Sequence, residues 1–218
     1  MVSSRSDHDR EAAPRVRDLP APRRNESAAG GAVQRVLAWP FRAILAFLIW
    51  TGVRPYQLTL LSLVLTALSG WQILTGHWLV GGVLLLFAGL CDVFDGSVAR
   101  HRGEAKRSGA FMDSVLDRVA DMILFSCLFW ALAAHASAWQ AALALVTLIV
   151  SLSVSHIRAE AEAAGVKLSE GLFQRLERFL ALLGGLMIPG AMPFVLVLLA
   201  SLGALTVLQR GFSALTQA

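Results

Sequence analysis

Six long apolar stretches follow one another along this chain, and they constrain its fold more than any other feature. Each is close to the ~20 residues that a helix needs to cross a bilayer. Hydrophobic residues make up 56% of the chain, and its mean hydropathy is +0.62. Backbone polar groups in lipid must be satisfied within the segment, so apolar segments of this length cross as helices. We therefore predict an all-α integral membrane protein with six transmembrane helices, over residues 58–75, 78–100, 109–134, 138–160, 172–188 and 192–209.

The basic residues fall in every second connection between these predicted spans, and so on one side of the membrane. Lys and Arg occur before the first span, at 100–118, at 158–178 and at Arg210, and the other connections have none. By the positive-inside rule the basic segments and both termini are cytoplasmic. Trp78 and Trp139 would then mark the opposite interface. We expect a multi-pass protein of the inner (plasma) membrane whose polar site faces the cytoplasm.

The chain before the first span divides into two segments. Residues 1–30 are rich in Arg, Pro, Ala and Ser without apolar periodicity, which predicts a disordered basic tail. Residues 31–53 place Gln34, Arg35 and Arg42 on one side of a helical wheel and apolar residues elsewhere. That pattern predicts an amphipathic helix in the cytoplasmic interface. The alternative is a true span, which would reverse the orientation of all that follows.

Four aspartates interrupt the second and third apolar stretches. Asp92 and Asp95 are three residues apart, and Asp113 and Asp117 are four apart, so each pair shares a helix face, and Asp121 continues the second face. An ionisable side chain at membrane depth costs about 3 kcal/mol and usually has a function. Four carboxylates brought together repel unless a cation neutralises them, and oxygen ligands suit Mg²⁺ or Mn²⁺. Two such ions can clamp a phosphate and activate a hydroxyl.

Small and basic residues accompany the aspartates. Gly96 and Gly109 have no side chain, so a ligand can approach the backbone closely there. Arg100 lies two turns after Asp92 and suits a phosphate oxygen. The alternative is a buried ion-pair network of the aspartates with neighbouring arginines, Arg118 among them, but such a network does not require the glycines.

The aspartates belong to a longer pattern, Asp92-x-x-Asp95-Gly96-x-x-Ala99-Arg100, eight further residues, then Gly109-x-x-x-Asp113-x-x-x-Asp117. This pattern resembles the signature of CDP-alcohol phosphatidyltransferases at every defined position. The resemblance implies a six-helix membrane enzyme that transfers a phosphatidyl group from a CDP-linked lipid to an alcohol and releases CMP. We expect this transferase domain to cover residues 54–212.

The resemblance also implies roles for single residues. The four signature aspartates would hold two Mg²⁺ or Mn²⁺ ions, and Asp117 would also be the general base that takes the proton of the acceptor hydroxyl. Family members commonly form homodimers, so a homodimer is expected, and no nucleic-acid partner is expected. The CDP-lipid, CDP-diacylglycerol, would be bound by Asp92, Gly96, Ala99, Arg100, Gly109 and Thr59.

A second polar cluster joins the fourth and fifth predicted spans. Its arginines Arg158, Arg175 and Arg178, together with Arg107, suit a phosphorylated polyol acceptor such as inositol phosphate or glycerol phosphate. The cluster is similar to the family branch that makes phosphatidylinositol phosphate, but Glu160 stands where that branch has a basic residue.

Three alternatives remain open at this point. The arginines fit simple positive-inside topology with pairing to nearby glutamates. The acceptor can then be an unphosphorylated alcohol such as serine or inositol. From another class, intramembrane carboxylates also mark cation or proton transporters, although here they cluster near one face of the membrane.

Overall fold

The computed structural model describes residues 28–103, 107–165 and 175–217, and this part of the chain is helical without β-strands. Its helices are α1 (Ala28–Trp50), α2 (Pro55–Leu74), α3 (Trp78–His101), α4 (Arg107–His135), α5 (Ala138–Ala163), α6 (Arg175–Met187) and α7 (Met192–Gln217). The prediction of an all-α protein is confirmed. The predicted disordered tail lies outside the described residues, except for its last three positions, which open α1.

Helices α2 to α7 correspond one to one with the six predicted spans. Four of them are long and apolar enough to cross a membrane by length and composition: α2, α3, α5 and the part of α7 from Met192 to Ala214. Helix α4 has 29 residues but carries the charged residues of the site. Helix α6 has only 13 residues, about 20 Å of helix, against the ~30 Å of a hydrocarbon core. The chain is thus a helical membrane protein, and the count of six spans stays a prediction.

The connection between α2 and α3 is a tight turn made by a glycine. Gly76 has a φ of 82°, a left-handed conformation that glycine adopts without steric cost. Its amide donates to the carbonyl oxygen of Ile73 at 3.1 Å. The chain therefore reverses within three residues, and Trp78 opens the next helix.

The described residues group into two compact units. The first consists of those described residues that fall within Met1–Leu60 and Cys91–Ala110, and its core contains Leu45, Phe94 and Val98, all buried. Phe41 of α1 stacks on Phe94 of α3 with ring centroids 4.9 Å apart. Helix α1 is therefore packed against the end of α3 that carries Asp92 and Asp95.

The guanidinium of Arg102 adds a polar link in the same unit. It donates to the carbonyl oxygens of Ile49 and Gly52, both at 3.4 Å. Ile49 lies in the last turn of α1 and Gly52 just beyond it, where no further turn of helix supplies donors. Arg102 therefore fastens the end of α1 to the residue that follows α3.

The second unit consists of those described residues that fall within Leu61–Leu90 and Phe111–Ala218. Its core is apolar and includes the fully buried side chains of Leu128 and Leu196. Helices α5 and α7 approach closely at Gly203, where an added Cβ would lie 2.5 Å from a methyl carbon of Val150. This packing holds α5 in position. Residues of α4, α5 and α6 together line a polar cavity of this unit.

Candidate active site

The first unit holds a pair of carboxylates on one turn of α3. A carboxylate oxygen of Asp92 and one of Asp95 lie within 4.8 Å of each other. Asp95 is buried with 6% of its surface exposed, and Asp92 is half-buried. The hydroxyl of Thr59 on α2 donates to Oδ2 of Asp95 at 2.7 Å. The hydrogen bond fixes the orientation of this carboxylate, as outer hydrogen bonds do for metal-ligating groups.

The turn after the carboxylate pair carries small residues and an arginine. The guanidinium of Arg100 donates through Nη2 to the hydroxyl of Ser97 at 3.1 Å. Its Nη1 lies so close to Gly96 that an added Cβ there would be 3.3 Å away. Gly96 therefore leaves room for the guanidinium to fold back along α3 toward Asp92.

Gly109 stands in open space near the start of α4. A Cβ built on it would meet no atom within 4 Å among the described residues. No packing contact within that part of the chain therefore requires a glycine at this position. The space is available to a ligand.

The second unit contains a cavity of about 60 Å³ between α4, α5 and α6. Two carboxylates, two guanidiniums and two hydroxyls line it: Asp117, Asp121, Arg118, Arg178, Ser114 and Ser155. Charges of both signs thus meet in one small polar cavity, beside the residue that the signature assigns as general base. Such a lining fits a molecule that carries both an anionic group and hydroxyls.

Two hydrogen bonds fix the walls of this cavity. Arg118 Nη2 donates to the carbonyl oxygen of Ser155 at 3.3 Å. The hydroxyl of Ser151 donates to Oδ2 of Asp121 at 2.9 Å. Both bonds join α4 to α5, so the two helices present their polar groups in a fixed register.

The comparison with known protein families decides which family this chain belongs to. The model of the CDP-alcohol phosphatidyltransferase family matches residues 53–209, well over half of the chain. The chain belongs to the CDP-alcohol phosphatidyltransferase family. The resemblance inferred from the eight signature residues is confirmed, and the protein is a transferase of this family.

Relatives with known activities are similar over most of their length. The phosphatidylinositol phosphate synthase of Corynebacterium glutamicum is 37% identical over 166 residues, which cover 72% of this chain and 76% of that protein. The archaetidylinositol phosphate synthase of Methanothermobacter thermautotrophicus is 35% identical over 142 residues, 62% of this chain and 70% of that protein.

Solved structures of a third CDP-alcohol phosphatidyltransferase share the fold. The Mycobacterium tuberculosis phosphatidylinositol phosphate synthase with CDP-DAG bound matches with a TM-score of 0.73 and 29% identity, over 79% of this chain and 92% of that chain. The same enzyme in complex with manganese and citrate has a TM-score of 0.73 and 29% identity, over 80% and 88%.

The structure brings together only part of the predicted acceptor cluster of this transferase. Arg178 lines the cavity, whereas Arg158 is exposed and its Nε is bonded to Glu162 at 2.8 Å. Glu160, the reversed charge, is also exposed and lies 3.9 Å from Nδ1 of His156. Arg107 and Arg175 are the first residues of α4 and α6, and their side chains lie outside the described residues.

Sequence reasoning gave no site role to four of the six residues that line the cavity. Asp121 had a signal, because it continues the helix face of Asp117. Arg118 was considered only as a partner in an ion-pair network. Ser114 and Ser155 gave no signal, because serines are common in membrane helices and their position depends on how α4 and α5 face each other.

Proposed function

We propose that this chain transfers the phosphatidyl group of CDP-diacylglycerol to a hydroxyl of a phosphorylated polyol, inositol phosphate or a close analogue, and releases CMP. The observation that carries the proposal is the cavity in which Asp117 lies with Arg118 and Arg178. Two guanidiniums beside the general base suit an acceptor with a phosphate and a reactive hydroxyl. The names of the Corynebacterium and Methanothermobacter relatives support the same acceptor class.

The carboxylates of the signature fit a divalent cation. The Asp92–Asp95 pair offers two oxygens within 4.8 Å of each other, and Thr59 already orients one of the two carboxylates. All-oxygen ligation suits Mg²⁺ or Mn²⁺, and the Mycobacterium structure contains manganese. Asp92, Asp95, Asp113 and Asp117 would hold two such ions. When bound, the ions supply positive charge that stabilises the pyrophosphate and the departing CMP.

The CDP-lipid would lie along the signature turn of α3. Arg100 would bind its phosphates, because its guanidinium folds back over Gly96 on the side of Asp92. Ala99 and Gly109 would let the nucleotide pack close, and Gly109 has open space beside it. Thr59 would contribute through Asp95, whose carboxylate it orients. CDP-DAG in the Mycobacterium structure supports this donor.

The reaction needs one proton transfer and one displacement. Asp117 accepts the proton of the acceptor hydroxyl, for which it has only to lie within hydrogen-bond reach. The acceptor oxygen then bonds to the phosphorus that carries the diacylglycerol, the bond from that phosphorus to the CMP oxygen breaks, and CMP leaves. Arg178 and Arg118 hold the acceptor phosphate, with Arg107, Arg158 and Arg175 as the further proposed acceptor residues.

The proposed setting is a homodimer in the inner membrane with six spans, α2 to α7, forming one transferase domain over residues 54–212. Helix α1 would lie in the cytoplasmic interface. Trp39, Phe47 and Trp50 on α1 are largely exposed, which suits aromatic anchoring at headgroup depth. The acceptor would enter from the cytoplasm, where the basic connections are expected.

A direct assay tests this function. Purified protein in detergent is incubated with CDP-diacylglycerol, Mn²⁺ and, one at a time, inositol phosphate, glycerol phosphate, inositol and serine, with CMP release and the lipid product measured. Inositol phosphate should give the fastest turnover, EDTA should abolish it, and Asp92→Asn is the matched inactive control.

Two outcomes would contradict the proposal. Faster turnover with an unphosphorylated alcohol would overturn the acceptor class while leaving the transferase intact. No CMP release with any acceptor would overturn the transferase, and ion flux in proteoliposomes would then test the transporter alternative.

A further inference from the structure

One carboxylate of the cavity lies outside the family signature. Asp121 is four residues beyond Asp117 on α4, and both line the same cavity. It is 14 residues from the start of the helix at Arg107, about 21 Å along the axis. A carboxylate this far into a helix that is proposed to span the membrane is costly unless it has a function.

The surroundings of Asp121 show what it can bind. An ionised carboxylate accepts about four hydrogen bonds, and Ser151 supplies one of them, to Oδ2. Asp121 also lines the cavity, so its carboxylate can accept further hydrogen bonds from hydroxyls of a bound molecule. Asp121 adds a second negative charge beside Asp117. The two guanidiniums in the lining balance these two charges, so the cavity is not purely anionic.

The spacing along α4 limits which hydroxyls can reach both carboxylates. Side chains four residues apart on a helix have Cβ atoms about 5–6 Å apart. Hydroxyls on opposite sides of a six-membered polyol ring span such a distance. The neighbouring hydroxyls of a three-carbon glycerol are too close together to do so.

We infer that Asp121 is a specificity residue that selects a ring polyol acceptor, by accepting a hydrogen bond from a ring hydroxyl remote from the one that reacts at Asp117. This inference rests on the proposed function, because it names the acceptor chemistry of the same cavity. The inference adds to the proposed function a residue outside the signature and a discrimination between ring and glycerol acceptors.

A structural role of Asp121 makes a different prediction. If the carboxylate serves only to tie α4 to α5, removing the hydroxyl of Ser151 should have the same effect as removing the charge of Asp121. Ser151 is buried with 4% of its surface exposed and does not line the cavity. Ser151→Ala is therefore the matched control.

The experiment compares inositol phosphate with glycerol 3-phosphate in wild type, Asp121→Asn and Ser151→Ala, with CDP-diacylglycerol saturating. Asp121→Asn should raise the KM for inositol phosphate about 10- to 100-fold, the loss typical of a hydrogen bond to a charged group. The KM for glycerol 3-phosphate and for CDP-diacylglycerol should change less than twofold. Ser151→Ala should leave the ratio of kcat/KM for the two acceptors as in wild type.

A substrate-side measurement makes the inference testable even if Asp121→Asn does not fold. Deoxyinositol phosphates, each lacking one ring hydroxyl, are assayed with wild type alone. One of them, lacking a hydroxyl remote from the reacting position, should lose about 10- to 100-fold in kcat/KM.

The outcomes separate this inference from the proposed function. Equal loss with both acceptors, the same loss in Ser151→Ala, or no deoxy analogue that differs from inositol phosphate would overturn the role of Asp121 and leave the transferase standing. Wild-type turnover with glycerol phosphate alone would also overturn it. No lipid-dependent CMP release with any acceptor would overturn both.

Discussion

The hydrogen bond from Thr59 to Asp95 gives the sharpest test of how the carboxylate pair is positioned. Thr59→Val keeps the shape of the side chain and removes the hydroxyl that lies 2.7 Å from Oδ2 of Asp95. The same hydroxyl lies 3.2 Å from the carbonyl oxygen of Pro55. The shorter, charge-assisted bond to the carboxylate is the stronger one, so the variant leaves a mostly buried carboxylate without this donor.

Two independent magnitudes agree for this loss. A hydrogen bond to a charged group contributes about 1.5–3 kcal/mol. Loss of an outer hydrogen bond to a metal ligand weakens metal affinity about 10- to 100-fold, which corresponds to about 1.4–2.8 kcal/mol. We therefore expect Thr59→Val to raise the dissociation constant for Mn²⁺ about 10- to 100-fold, with activity recovering at excess Mn²⁺.

The assay measures free Mn²⁺ by electron paramagnetic resonance during titration of the purified protein, followed by CMP release at increasing Mn²⁺. Thr66→Val is the matched control on the same helix, because the hydroxyl of Thr66 donates only to the carbonyl oxygen of Ser62, at 2.9 Å. Affinities in Thr59→Val within twofold of those in wild type and Thr66→Val would refute the reasoning.

The other predictions concern the cavity and the glycines. Arg178→Ala should raise the acceptor KM about 10- to 100-fold and leave the CDP-lipid KM unchanged. Arg158→Ala should raise the acceptor KM less than Arg178→Ala does, because the Arg158 guanidinium is exposed and paired with Glu162 on its own helix. Steady-state kinetics with each substrate varied in turn measures both constants, and an equal effect of Arg178→Ala on the two KM values would count against the cavity as the acceptor site. Asp117→Asn should lower kcat about 10²- to 10⁴-fold with the protein still folded, and a loss below tenfold would remove it as the base. Gly109→Ala should keep or raise the midpoint of thermal unfolding, because no described atom crowds the added methyl. It should raise the CDP-lipid KM, because the methyl takes up space proposed for the nucleotide. Gly203→Ala should instead destabilise the protein by about 1–3 kcal/mol through overpacking, with the KM values unchanged; thermal unfolding in detergent separates the two glycines.

The helices of the fold were predictable because most of them correspond to a recognisable pattern in the sequence. Apolar runs of bilayer length are bounded by residues such as Gly76 and Trp78, and α3 was predicted to within one residue of its ends. The predicted start of the fifth span at residue 172 lies outside the described residues, and its predicted end at 188 is within one residue of the end of α6 at Met187. The extension of α1 back to Ala28 was not anticipated, because the Ala-Gly sequence there has no apolar periodicity.

The carboxylate pair was predictable from spacing alone, but the cavity was not, and the role of Asp117 as base stays a prediction that rests on the family resemblance. Asp92 and Asp95 share a face because both lie on one helix. Arg118 donates to the carbonyl oxygen of Ser155, which is 37 positions away in the sequence. This contact depends on how α5 is rotated against α4, which no local sequence pattern encodes. The pairing of Arg158 with Glu162 is different, because it is an i to i+4 contact that the sequence does contain.

The packing of α1 on α3 bears on how this family is delimited by sequence. The family match begins at residue 53, after α1 has ended at Trp50. Yet α1 supplies the ring that stacks on Phe94, which lies between Asp92 and Asp95, and one of the carbonyls that accept from Arg102, two residues after Arg100. A chain trimmed to its recognisable region would keep every signature residue and lose the neighbour that holds that turn in place. The packed unit that positions the signature residues of α3 therefore begins before the segment by which the family is recognised.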